Sequence, residues 1–471
     1  AYCQMPLCVP SRIALLSGRH PSNCPVLWPD TPTFASHLGQ HGYATATVGK
    51  MHLIGSLQHA GFGARPYGDF TGPSPAHQKD PLSLTGPQDH IFMPSIIKDA
   101  GVSDIPESLL QEQIVVRESM AWLREHRHRS PDQPWLLYAS FVHPHFPQLA
   151  ARRFFERYFP EGVTPPRIGF TGDTTDHPMT TGVRTRGGGA LRGHKMDDIT
   201  AEDTTRARAA YFACVDQLDE IIGDFLALLD RDGLLDNTII VYTSDHGELA
   251  GEHGLWWKNT WHEASARVPL IISLPEHRNG SLSPSENTQP VGLGDLIPTL
   301  CGLTGTPIPE DLDGMDLSAI VRGEIDNVLR NRPGVIMEYL NPLGGSGTEY
   351  RMIRSERYKY VAFHDCEDLS FDLDTDPDEQ YNIADTTDPE VAGELDRLRS
   401  ALYEGFDFDA AIDRRQTETE QFRTQYAGRV TPRTSNQILL GDGRLVEADL
   451  TLEYPDVVSD QPGQDFDDWP E

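Results

Sequence analysis

Four short stretches hold reactive side chains close together. In LCVPSRIALLSGR, Cys8 precedes Pro10, Ser11 and Arg12. Proline suits the first turn of a helix, so this run predicts a helix that begins at Pro10. Cys8 would stand just before that N-terminus, where unpaired N–H groups and the helix dipole favour an anion or a thiolate. Arg12 could turn its planar fork back toward an oxyanion. These residues describe a nucleophile beside a tetrahedral anion; a buried cysteine next to a structural arginine reads them without chemistry.

In TIIVYTSDHGELAGEHGLWWKNTWHEASARVPLI, Asp245 and His246 come directly after an apolar run. A carboxylate beside an imidazole supplies oxygen and nitrogen donors for a divalent cation. A helix-capping Asp with a surface His is the plainer alternative. Lys258, after two tryptophans, could bind an anion or lie on the surface, while His253 and His262 are expected to be supporting or structural. Lys50 and His52 follow ATATV, and His143 and His145 follow WLLYASF. Each is weak alone, since strand ends commonly carry such residues. Together they predict a cationic, metal-holding pocket for a tetrahedral group.

The elements that must position them follow from the apolar pattern. Residues 44–48, 135–141, 238–244 and 268–273 read as buried strands, and the stretches Leu109 to His126 and Ala209 to Leu229 as helices. Their alternation predicts an α/β domain over 1–330 with a mostly parallel sheet between helices, its chemistry at the carboxyl ends of the strands. Gly61–Ser103 and Pro160–Asp203 are too long for ordinary connections and are expected to be binding loops or lids. From Pro333 the pattern changes to VIMEYL, YRMIRSERYKYVAF and LSFDL, which predict a smaller α+β subdomain with an antiparallel sheet over 331–410. Residues 411–471 end in a Pro- and Asp-rich acidic tail, read as an arm or a disordered end.

Composition narrows the partners. The 71 acidic and 39 basic residues give a net charge of −32, which argues against nucleic acid or an anionic membrane. High-salt adaptation and an ordinary acidic enzyme both fit. The six cysteines lack metal-ligand or secreted-scaffold spacing, and Cys214 and Cys301 read as core thiols. Localisation is unassigned: cytoplasm is the default, and a signal peptide ahead of Ala1 is compatible with the sequence.

CVPSRIALLSGRHP resembles the signature of the sulfatase family, in which the cysteine is oxidised after synthesis to formylglycine. GKMHLIG, the PHFP of FVHPHFP and the Ser244–Ile271 stretch resemble further sulfatase motifs in family order. RMIRSERYKYV and FDLDTDPDEQYNIAD resemble the C-terminal subdomain, so the likeness spans nearly all of 1–385. GKMH followed by LQHAGF, with Asp-His in place of the commoner Asp-Asn, is most similar to the choline-sulfatase and phosphonate-monoester-hydrolase branch.

The resemblance implies an alkaline-phosphatase-like fold and hydrolysis of a small-molecule sulfate ester to alcohol and sulfate. It implies that Cys8, matured by a formylglycine-generating enzyme, is hydrated and attacks sulfur. Arg12 and Lys50 would hold the hydroxyls and the growing charge, His145 or Lys258 would protonate the leaving alcohol, and His52 would take the proton that lets sulfate go. Asp245, His246 and the converted Cys8 would bind a divalent cation, calcium or manganese. The family pattern also leads us to expect a strand and acidic ligands ahead of Ala1; on that expectation residues 1–471 alone bind metal poorly and are inactive. A phosphonate or phosphate ester hydrolase using the same site is the rival enzyme. An inactive sulfatase-like scaffold is the rival of another class. The arm after Arg415 would serve a homo-oligomer or be a solvated end, and Trp256, Trp257 and Trp261 would wall the leaving group or belong to the core.

Overall fold

The computed structural model describes residues 1–53, 58–68, 97–186, 196–324, 329–426, 437–439 and 445–447. The chain packs as two units interleaved in sequence. One comprises Ala1–Phe34, Ile168–Arg186 and Asn237–Gln425; the other comprises Ala35–Arg167, Gly187–Asp236 and Tyr426–Glu471.

In the second unit, Ala44–Gly49 lies between Ala64–Tyr67 and Trp135–Ser140 in a parallel sheet. The helix Gln111–Arg129 packs Ile114 and Val115 against Val48 and Tyr67. Its neighbouring positions Val116, Met120 and Leu123 meet Ile221, Phe225 and Leu229 of the helix Ala201–Arg231. That helix starts eight residues before the expected point because Thr200 and Asp203 form a capping box, each side chain accepting the other's backbone N–H.

The expectation of uniformly buried strands needs correction. Ala44–Gly49 is buried, but Trp135–Ser140 is an edge of its sheet and mostly half-buried. In the first unit Ile240–Thr243 pairs antiparallel with Leu270–Ser273, and Tyr242 and Ile271 stand opposite each other, both exposed.

The antiparallel subdomain is as expected. Strands Val335–Tyr339, Tyr350–Arg354, Tyr358–Phe363 and Leu369–Asp372 pair in chain order. The helix Pro389–Tyr403 lays Leu395, Leu398 and Leu402 on Ile353, Tyr358, Tyr360 and Ala362. A further helix, Phe408–Tyr426, runs across position 411. Residues Gln437–Leu439 and Leu445–Glu447 pair antiparallel. The acidic tail beyond 447 and, within the long loops expected at Gly61–Ser103 and Pro160–Asp203, residues 69–96 and 187–195 lie outside the described residues. Cys214 and Cys301 are buried, and among the described residues no helix is long and apolar enough to cross a membrane.

Candidate active site

The first unit assembles five of the eight candidates. Residues 1–3 run extended between two segments: Cys3 N–H donates to Ala266 O at 3.0 Å, and Tyr2 N–H to Val291 O at 2.8 Å. This fixes the entry to the helix Cys8–Ser17, which begins at Cys8 itself and not at Pro10. Pro10 still falls in the first turn, where its missing N–H has no intrahelical partner to lose. Cys8 is thus the first helical residue, buried, with the positive end of the dipole at its backbone.

Two nitrogen groups meet its sulfur. Lys258 Nζ donates to Cys8 Sγ at 3.1 Å, and His246 Nε2 lies 3.1 Å from the same atom. The Lys258 ammonium is buried and sits 4.3 Å from the Trp257 ring centroid, a cation–π contact. His246 Nδ1 lies 2.9 Å from Gly247 O. A carbonyl only accepts, so Nδ1 carries the proton of the neutral ring and Nε2 presents its lone pair toward Cys8.

Asp245 is fixed from the helix. Arg12 Nε donates to Asp245 Oδ2 at 2.8 Å, and Ser11 Oγ to Asp245 O at 2.5 Å. Arg12 therefore orients the carboxylate through Nε. The other carboxylate oxygen is 3.7 Å from His246 Nε2. His246 Nε2 thus has a carboxylate oxygen on one side and the sulfur of position 8, at 3.1 Å, on the other. Calcium and manganese both accept such donors.

Lys50, His52 and His145 belong to the second unit. Gly49 pairs with Ser140 across parallel strands, so Lys50 and the 143–145 segment leave the same end of neighbouring strands. Lys50 is buried, and its N–H donates to Ser140 O at 3.1 Å. His52 adopts a positive φ of 47°. His145 Nδ1 lies 2.9 Å from Phe146 O, which directs the lone pair of the neutral ring to Nε2, and its ring stacks on Phe146. His143 N–H donates to the buried Glu112 carboxylate at 3.0 Å.

Several participants escaped the sequence reading. Ser11 lay inside the quoted motif unassigned. Glu248, half-buried, accepts N–H from Trp257 at 2.5 Å and from Ala250 at 3.1 Å, closing the loop that ends at Lys258. Burial pushes its carboxyl up. The His253 and His262 rings lie against each other at a tilt of 36°, centroids 3.9 Å apart, and both are buried. Burial holds His262 well below the usual imidazole range, so it is neutral. All three tryptophans are buried; Trp261 packs edge-on against Tyr350 and Phe363, which makes it core and not a wall.

Comparison with known proteins gives a consistent result. The sequence model of the Sulfatase family matches residues 1–306, and that of the N-sulphoglucosamine sulphohydrolase C-terminal region matches 251–404. A choline-sulfatase of Rhizobium meliloti (strain 1021) is 31% identical over 431 residues, covering 87% of this chain and 80% of its own length. An arylsulfatase of Clostridium perfringens is 26% identical, covering 85% of each. Among solved structures, the phosphonate monoester hydrolase of Agrobacterium radiobacter superposes with a TM-score of 0.68 at 22% identity, over 95% of this chain and 91% of that one. An enzyme in complex with its substrate D-glucosamine-2-N,6-O-disulfate superposes with a TM-score of 0.65 at 20% identity, over 88% and 90%.

Proposed function

Since the chain belongs to the sulfatase family, we propose that it hydrolyses a small-molecule sulfate ester with Cys8, converted to formylglycine by a maturation enzyme, as the nucleophile. The observation that carries this reading is the sulfur at a helix N-terminus, 3.1 Å from both a buried ammonium and an imidazole lone pair. The converted side chain would supply a geminal hydroxyl to attack sulfur and, by returning to the aldehyde, would release sulfate.

Asp245, His246 and the oxygen at position 8 would hold a divalent cation, whose charge would offset that of the sulfate oxygens. The donor set fits: a carboxylate oriented by Arg12 and a ring whose tautomer leaves Nε2 to the site. Lys258, buried and aimed at position 8, hands its proton to the departing alcohol oxygen. Its charge, with that of Arg12, favours the negative charge that builds on the sulfate. The family resemblance assigns Lys50 to the same charge, His52 to the proton taken when sulfate leaves, and His145 as the alternative acid.

The test uses full-length protein co-expressed with a formylglycine-generating enzyme. The proteolytic peptide ending at Arg12 is weighed, and sulfate, phosphate and phosphonate monoesters of one alcohol are compared, with choline sulfate in the panel. An aldehyde at position 8 and preferential sulfate-ester turnover are expected. An intact thiol with phosphonate or phosphate turnover would replace this reading with the rival hydrolase, and no turnover of any ester by matured protein would replace it with the scaffold.

A further inference from the structure

Lys258 can protonate a leaving oxygen only if its ammonium is held in place, and its backbone surroundings are strained. Trp257 and Asn259, on either side, have φ of 76° and 81°. Left-handed conformations at non-glycine residues persist only where the surroundings impose them. Upstream, Trp257 is tied through its N–H to Glu248 and through its carbonyl to Leu249 N–H at 2.6 Å. Downstream, Asn259 N–H donates to Pro6 O at 3.1 Å, two residues before Cys8.

The remaining ties come from the antiparallel sheet. Tyr350 OH donates to Asn259 O at 3.2 Å. Lys359 Nζ donates to Trp261 O at 2.8 Å. Lys359 is itself fixed between Glu379 at 2.5 Å and Glu263 at 2.8 Å, and Glu379 accepts Glu263 N–H at 2.7 Å. The Trp261 ring rests edge-on against Tyr350 and Phe363. Segment 259–263 is thus strapped to strands Tyr350–Arg354 and Tyr358–Phe363, and the first strapped residue is bonded to the approach to Cys8. Burial keeps the Tyr350 hydroxyl protonated, so it acts as a donor throughout the working range.

We infer that Tyr350 and Lys359 are positioning residues for Lys258, so that the C-terminal sheet sets the placement of the proton donor against position 8. This rests on the reading of Lys258 as the acid, and leaving-group dependence separates the two. A misplaced acid matters little for an acidic phenol, which leaves unaided, and much for an alkyl alcohol.

The experiment measures kcat and KM for 4-nitrophenyl sulfate and for an alkyl sulfate at pH 8, in matured wild type, Lys258→Ala, Tyr350→Phe and the double variant Lys359→Met/Glu379→Gln. The double variant replaces the buried ion pair with neutral groups of similar shape, and it decides the matter should Tyr350→Phe fail to fold. Lys258→Ala is expected to lose far more on the alkyl ester than on the aryl ester. Tyr350→Phe should follow in kcat with KM unchanged, its alkyl loss exceeding its aryl loss about fivefold, the equivalent of one hydrogen bond. The double variant should show the same selectivity. If Tyr350→Phe and the double variant slow both esters equally, or neither, while Lys258→Ala is selective, the positioning role is overturned. If Lys258→Ala is itself unselective, the acid assignment falls and takes this inference with it.

Discussion

Replacing Glu379 by glutamine isolates a contest between burial and charge pairing. Two carboxylates, Glu263 and Glu379, share the Lys359 ammonium, and Glu379 and Lys359 are both buried. Burial raises both carboxyls, but Glu263 also faces Arg354 and receives the Tyr2 hydroxyl at 2.8 Å. These contacts with Lys359 bring it below its ordinary value. Glu379 has less help: burial outweighs Lys359, Glu263 adds its repulsion, and its carboxyl is raised from 4.5 to about 7. The folded protein therefore keeps a proton that the unfolded chain releases. This contribution to stability is complete below pH 4.5 and is lost as pH rises through about 7. At about 1.4 kcal/mol per pH unit, the loss is about 3 kcal/mol. Glutamine cannot ionise, so the variant lacks this decline while keeping a similar shape. Urea unfolding of both proteins from pH 4.5 to 8 should show wild type losing about 3 kcal/mol relative to Glu379→Gln. A wild type that gains on the variant as pH rises would refute the reasoning, because it would mean that Lys359 attracts Glu379 more strongly than burial disfavours its charge.

Cys8→Ala should fold normally and lose activity by about 10³-fold or more, read as initial rates on 4-nitrophenyl sulfate alongside thermal unfolding. Chelation should abolish turnover and calcium or manganese should restore it, with Asp245→Asn needing more metal for half-recovery; full activity in chelator would remove the metal from the scheme. Gly49→Ala should destabilise by about 3 kcal/mol or more, because Gly49 has φ +95° and a Cβ there would meet Ser140 O at 2.1 Å, driving apart the strands that carry Lys50 and His145. An unchanged melting temperature would contradict that contact. Burial opposes the charge on Asp203, but Lys98, Thr200 and Arg206 hold its carboxyl well below the usual range. Asp203→Ala should therefore cost about 1–2 kcal/mol at pH 7, and the difference from wild type should shrink as pH falls below about 3.8.

What could be read in the chain, and what could not, divides by the range of the interactions. Periodicity is a local signal, and it located Ala44–Gly49 and Trp135–Ser140 nearly to the residue and the three runs that hold the four antiparallel strands. Cys8, Asp245 and His246 stand out as candidates because each lies at or just beyond the end of an element, and Arg12 and Lys258 because of the motifs that hold them; in the first unit these five meet within hydrogen-bond distance of a neighbour. The helix start at Cys8 was misjudged by two residues because proline is compatible with several first-turn positions. Burial of Ile240–Thr243 was overestimated from its apolar run, since apolar composition does not say whether a strand is covered on both faces. The positioning groups were invisible for a deeper reason. Tyr350 reaches Asn259 across 91 residues and Lys359 reaches Trp261 across 98, and neither donor carries a local mark of its partner. In sequence both read as ordinary strand residues. Only folding shows that a buried lysine held by two carboxylates is braced against the loop of a second buried lysine. If Tyr350 and Lys359 position Lys258 as inferred, a subdomain that holds none of the candidate catalytic side chains would set the placement of the proton donor at position 8.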